Sequence, residues 1–130
     1  MFLLLSPGGG DVMKSKEMIK DSNLYKLINE LENGLKQIYG DSLRKIILYG
    51  SYAREQEANG SDLDLMVLLD LSEEEIENTN EDVLELTVDL TTRYGIFISI
   101  VKYNIDFFNE WVDTLPYFKN VISDGIDIYG

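Results

Sequence analysis

The chain contains no cysteine and no histidine. Without thiols there is neither a disulfide framework nor a thiolate metal site. Without imidazole the usual zinc ligand, the commonest general base and every Ser-His or Cys-His catalytic arrangement are excluded. Any catalysis has to run on carboxylates, hydroxyls, backbone amides and bound metal. Basic side chains are also scarce, with 11 Lys and Arg against 24 Asp and Glu, a formal charge of −13. That field repels a nucleic-acid backbone, so nucleic acid is not expected; a basic protein partner or a metal-bridged nucleotide is easier to reconcile with it, and an acidic surface that simply keeps the protein soluble accounts for it equally well. Long hydrophobic runs are missing too. No apolar stretch is long enough for a transmembrane helix, and Phe2 to Leu5 lacks the basic leader and the length of a signal-peptide core. No membrane partner is expected, and a cytoplasmic location fits the absent cysteine.

What is present reads as an ordinary globular composition, and 130 residues are enough for one domain with a real core. Residues 1–12 carry Pro7 and three glycines and share no pattern with the remainder of the chain, so they read as a disordered leader or an artefact of the start. The domain is placed at 13–130. Leu24, Leu27, Ile28, Leu31, Leu35 and Ile38 fall on one helical face, with Asp21 or Ser22 as cap and Gly40 as stop. Leu43 to Tyr49 and Asp62 to Leu69 read as strands, and Ser51 to Glu55 as a short helical turn between them. Ser72 with Glu75 forms a capping box, opening an irregular helix interrupted near Asn78 to Asn80 and closed by Gly95. Ile96 to Tyr103 is a third strand. Asn104 caps a helix expected to turn Phe107, Phe108, Trp111 and Val112 inward, Pro116 opens another, and Ile126 to Tyr129 adds an edge strand. The expected fold is α/β, a three- to four-stranded mixed sheet with helices packed on it.

Chemistry concentrates between Lys45 and Asp70. Asp62 and Asp64, two residues apart on one strand, present carboxylates about 7 Å apart on the same face. Paired hard oxygens suit Mg²⁺, which one or two carboxylates hold together with substrate phosphates. Taken by itself, the pair is more plainly explained as a half-exposed strand showing polar residues to water. Gly50-Ser51 ends the preceding strand, where glycine lets a phosphate approach the backbone and the adjoining turn offers amides. A lone Gly-Ser is weak, because turns use both residues constantly. Arg54 can neutralise phosphate or pair with Glu55 or Glu57.

The two elements at their fixed spacing resemble the nucleotidyltransferase motif of the DNA polymerase β-like superfamily. Gly50, Ser51, Arg54, Ser61, Asp62, Asp64 and Leu65 match its small bacterial form, with Glu55 standing where glycine is usual. The chain is similar to the minimal nucleotidyltransferase (MNT) class, whose members often act as antitoxins beside a helical HEPN partner and transfer AMP from ATP to a tyrosine on it. The resemblance implies nucleotide binding by Gly50, Ser51, Arg54 and Ser61, with two Mg²⁺ on the catalytic pair Asp62 and Asp64. It further implies ATP as substrate and a HEPN-type partner, and leaves a homo-oligomer open. The family's third carboxylate comes from the next strand, where the polar residue of matching phase is Ser99. Serine brings no negative charge. The alternative is therefore a catalytically impaired protein that neutralises its partner by binding. Modification of a small molecule is disfavoured, since related enzymes of that kind carry an extra acceptor domain.

Overall fold

A computed structural model describes residues 13–57 and 60–130. Among the described residues five strands form one sheet: β1 (Lys14–Ser15), β2 (Leu43–Tyr49), β3 (Leu63–Leu69), β4 (Ile98–Asn104) and β5 (Ile126–Tyr129), in the order β1-β5-β2-β3-β4. β2 runs antiparallel to both β3 and β5, while β3 with β4 and β1 with β5 are parallel. The expected mixed α/β architecture is present with one strand more than anticipated. β1 is two exposed residues long, too short to leave an alternation in the sequence. Because β1 covers it, β5 is an interior strand and not the edge strand expected. Residues 1–12 lie outside the described residues.

Helices cover both faces. α1 (Ser22–Tyr39) is capped by the Asp21 carboxylate, which accepts from the Leu24 amide, and ends at Gly40. Leu27, Ile28, Leu31 and Leu35 are fully buried on the first face, against Ile46, Leu48, Leu65 and Val67. Each contributes about 1.5–3 kcal/mol, which fixes α1 across the sheet. Ser72 and Glu75 make the reciprocal capping box that opens α2 (Glu73–Glu77), and α3 (Asn80–Tyr94) begins after a break at Asn78 and Thr79. Gly95 closes α3 at φ 71°, a conformation glycine adopts without penalty. On the second face α4 (Ile105–Trp111) and α5 (Pro116–Asp124) bring Phe108, Phe118 and Val121 onto Ile47, Met66 and Leu68. Phe107 and Trp111 do not turn inward as expected. They are 43% and 37% exposed, because a seven-residue helix has room for one buried anchor, Phe108.

Charges on the first face tie the helices together. Glu32 is buried between Lys16, at 2.7 Å, and Lys36, at 2.8 Å. Burial pushes its carboxyl up, but the hydrogen bonds from Lys16 and Lys36 outweigh that and hold it below its ordinary value. Arg93 of α3 meets Glu30 of α1 at 2.7 Å and Asp89 at 3.1 Å, and the Tyr94 hydroxyl donates to the same Glu30 carboxylate. The Arg93 bond, then the Tyr94 bond, hold the Glu30 carboxyl at about 2 against an ordinary 4.5. A carboxyl depressed by folding stabilises above its unfolded pKa and loses that contribution as pH falls through the folded value. Thermal melts are therefore expected to show wild type losing stability between pH of about 4.5 and about 2 more steeply than E30Q. The difference shrinks in high salt, because the pair is exposed.

Candidate functional site

The second face is left open at the end where β2 finishes and β3 and β4 begin. Tyr49 pairs with Asp64 across β2 and β3, and Asp64 pairs with Ser99 across β3 and β4. Residues paired across a sheet share a face, so Tyr49, Asp64 and Ser99 stand side by side. Along β3, Asp64 is in phase with Met66 and Leu68, whose side chains α4 and α5 cover. Asp64 itself lies beyond that cover and is half-buried. Asp62 is exposed and precedes the first strand residue by one position, so the strand starts one residue later than the sequence suggests. Burial, and secondarily the charge of Asp62, push the Asp64 carboxyl above its ordinary value. Two like charges held close in this way favour a cation between them.

Gly50 lies against Asp64. Its φ is 78°, and a Cβ built on it would fall 2.6 Å from the Asp64 Oδ2 atom. Only glycine leaves room for the carboxylate and takes that backbone conformation freely. The Gly50 carbonyl accepts from the Ala53 and Arg54 amides and the Ser51 carbonyl from the Gln56 amide, closing a turn over 51–55. The bond from Arg54 to Gly50 spans four residues, as in the short helical turn expected, and the turn does not extend into a helix. It ends at Glu55, among the described residues the one non-glycine with positive φ, at 55°. Glu55 occupies the left-handed position that glycine takes in the resembling motif. A side chain there costs roughly 1–2 kcal/mol, part of which glycine returns through its freer unfolded chain. E55G is thus expected to raise the thermal midpoint by on the order of 4 °C in a melt followed by circular dichroism.

Ser51 and Ser61 are half-buried at the two ends of this connection, of which residues 58 and 59 lie outside the described set. Arg54 takes neither of the pairings expected within the loop. Its Nη1 is 3.7 Å from the Asp124 Oδ2 at the end of α5, and its Nε donates to Gln56 at 3.3 Å. Asp89 is an exposed partner of Arg93, and Ser99 is the register partner of Asp64 on β4. Among the described residues no group of three His, Cys, Asp or Glu side chains converges as a metal site. The ring of Phe107 stacks on Tyr103, which pairs with Leu68, four residues and about 13 Å along β3 from Asp64.

Two site neighbours carry no mark in the motif itself. The Tyr49 hydroxyl hydrogen-bonds the Tyr117 hydroxyl at 2.7 Å. Burial, with the Tyr117 bond second, pushes the Tyr49 hydroxyl far up, so it stays protonated. Tyr49 does have a sequence signal, since it shares the phase of Ile47 and directly precedes Gly50. Tyr117 has none, because its approach depends on how α5 packs.

Asp62 and Asp64 are a donor set that fits a hard divalent cation, and Gly50 lies against Asp64. The chain belongs to the polymerase β nucleotidyltransferase family, whose profile, described as Polymerase beta, Nucleotidyltransferase, matches residues 26–130. A Methanocaldococcus jannaschii protein carrying the provisional name protein adenylyltransferase is 31% identical over 107 residues, 82% of this chain and 99% of that one. A second from the same organism, with the same provisional name, is 33% identical over 92 residues, 65% of this chain and 90% of that one. Among solved structures, a toxin–antitoxin crystallised with AMP-PNP aligns at TM-score 0.53 and 20% identity, covering 79% of this chain and 73% of that one. The MntA-HpeT toxin–antitoxin mutant D39ED41E aligns at TM-score 0.52 and 19% identity, with the same coverage of 79% and 73%. These two likenesses establish the nucleotidyltransferase fold. No helix among the described residues is long and apolar enough to cross a membrane.

Proposed function

We propose that the protein transfers AMP from ATP to a hydroxyl of a protein partner, as the antitoxin of a helical HEPN-type toxin in the cytoplasm. The observation that carries this reading is the close approach of Asp64 to Gly50, where a Cβ would fall 2.6 Å from the carboxylate, so that the turn after β2 adjoins one of the two aspartates. The provisional names of the archaeal relatives support adenylyl transfer to protein, and the toxin–antitoxin neighbours support a partner. Asp62 and Asp64 would hold Mg²⁺, and Gly50 and Ser51 the β- and γ-phosphates. When bound, the metal supplies charge neutralisation at the α-phosphate and lowers the pKa of the attacking hydroxyl. The chain's own contribution is orientation and partial exclusion of water, which needs no histidine. The test is to incubate the protein with α-phosphate-labelled ATP, Mg²⁺ and the protein encoded beside it. Label on that partner, lost in D62N/D64N, is expected; label that survives the double variant contradicts the assignment.

Ser99 favours a second reading, a protein that binds its partner and transfers slowly or not at all. Ser99 is the register partner of Asp64, so S99D would add a carboxylate at the pair's side. Magnesium affinity is expected to rise on the order of tenfold or more, as for gain of a supporting ligand. Without metal the third charge adds repulsion, so S99D should melt lower than wild type in chelator and recover in magnesium. Calorimetric titration and paired melts check both. A simultaneous gain in transfer would mark the natural protein as impaired at this position, whereas robust transfer by the wild type removes the second reading.

A further inference from the structure

Tyr117 stands beside Tyr49 at the start of α5. It is the second residue of α5, and its neighbour Phe118 is buried among Tyr103, Phe107 and Phe108, which fixes where the helix starts. Its ring meets the Tyr49 ring edge-on at 6.1 Å between centroids, and the two hydroxyls are hydrogen-bonded. Tyr49 in turn is the register partner of Asp64 and the residue before Gly50. The hydroxyls around the aspartates differ in access. Ser51 and Ser99 are half-buried within the turn and the strand, and the Tyr49 hydroxyl is directed at α5. Tyr117 is 42% exposed, and its hydroxyl is joined to the site through its bond to Tyr49. A phenolic oxygen held one side chain away from the carboxylate pair has a high effective concentration there, which a separate acceptor lacks.

We infer that the protein adenylylates itself on Tyr117, a second activity that rests on the proposed transfer chemistry. The Tyr117 Oη forms a bond to the α-phosphorus of ATP, the bond from that phosphorus to the bridging oxygen of the β-phosphate breaks, and pyrophosphate leaves. The phenolic proton passes to water, which reaches this exposed hydroxyl. The product is a phosphodiester between Tyr117 and AMP, with no oxidation or reduction. The experiment incubates the purified full chain alone with ATP and Mg²⁺ and measures intact mass, then maps the modified peptide. A gain of one AMP residue located on Tyr117, absent from Y117F and from D62N/D64N, is the expected result. Mapping on the wild-type chain does not depend on how well Y117F folds. An unmodified chain, or AMP on another residue with Y117F modified as before, overturns the inference. Adding the neighbour-encoded protein and α-labelled ATP to the same tube separates the two claims. Label on the partner alone overturns self-modification and leaves the proposed function standing; label on this chain alone does the reverse.

Discussion

Asp64→Asn is expected to reduce magnesium-dependent transfer by roughly 10²–10³-fold or more, the scale of losing one electrostatic partner of a reacting phosphate. Position is the reason. Asp64 is half-buried at the open end of β3, flanked in register by Tyr49 and Ser99, neither of which carries a negative charge at neutral pH. Its carboxylate is held unfavourably, by burial first and by Asp62 second, so asparagine should fold at least as well without metal. A folded but inactive variant is therefore the signature. Initial rates of label transfer, with a melt in chelator beside them, give both readings. Asp62→Asn should also lose transfer, and the double variant should fall less than the product of the two, since both residues serve one cation.

Gly50→Ala is expected to leave a folded chain that has lost about 10²-fold in transfer. Two costs coincide at this residue. A φ of 78° penalises alanine by roughly 1–2 kcal/mol, a drop of several degrees in thermal midpoint but not unfolding. The new methyl carbon falls 2.6 Å from Asp64 Oδ2, and the atom free to yield is the carboxylate oxygen. Displacement therefore lands on the group that matters most. If G50A melted slightly lower and transferred as well as wild type, the contact between the turn and the pair would have no part in the reaction.

The chain announces most of its fold because its long elements are strongly periodic. α1 shows the three-and-four spacing that buries Leu27, Ile28, Leu31 and Leu35, and β2 runs from Leu43 to Tyr49 as the apolar run indicates. Ser99 is legible by its phase along the strand, and its pairing with Asp64 comes from the parallel register of β3 and β4. Features that depend on other elements are not legible. Lys14–Ser15 is a strand because β5 is beside it, and Phe107 and Trp111 stay exposed because Phe108 takes the single inward position. Arg54 reaches Asp124 at the far end of α5, and Tyr117 reaches Tyr49 from 68 residues away, through packing that no local pattern encodes.

Adenylyl transfer at the Gly50 and Asp62–Asp64 site is decided by the position of the retained label. Parallel reactions with α-labelled and γ-labelled ATP, each with and without Mg²⁺, are resolved for protein-bound radioactivity in the presence of the neighbour-encoded protein. The predicted result is protein-bound label from the α-phosphate only, dependent on Mg²⁺ and absent in D62N/D64N. Protein-bound label from the γ-phosphate, or α-label indifferent to the two aspartates, would contradict it.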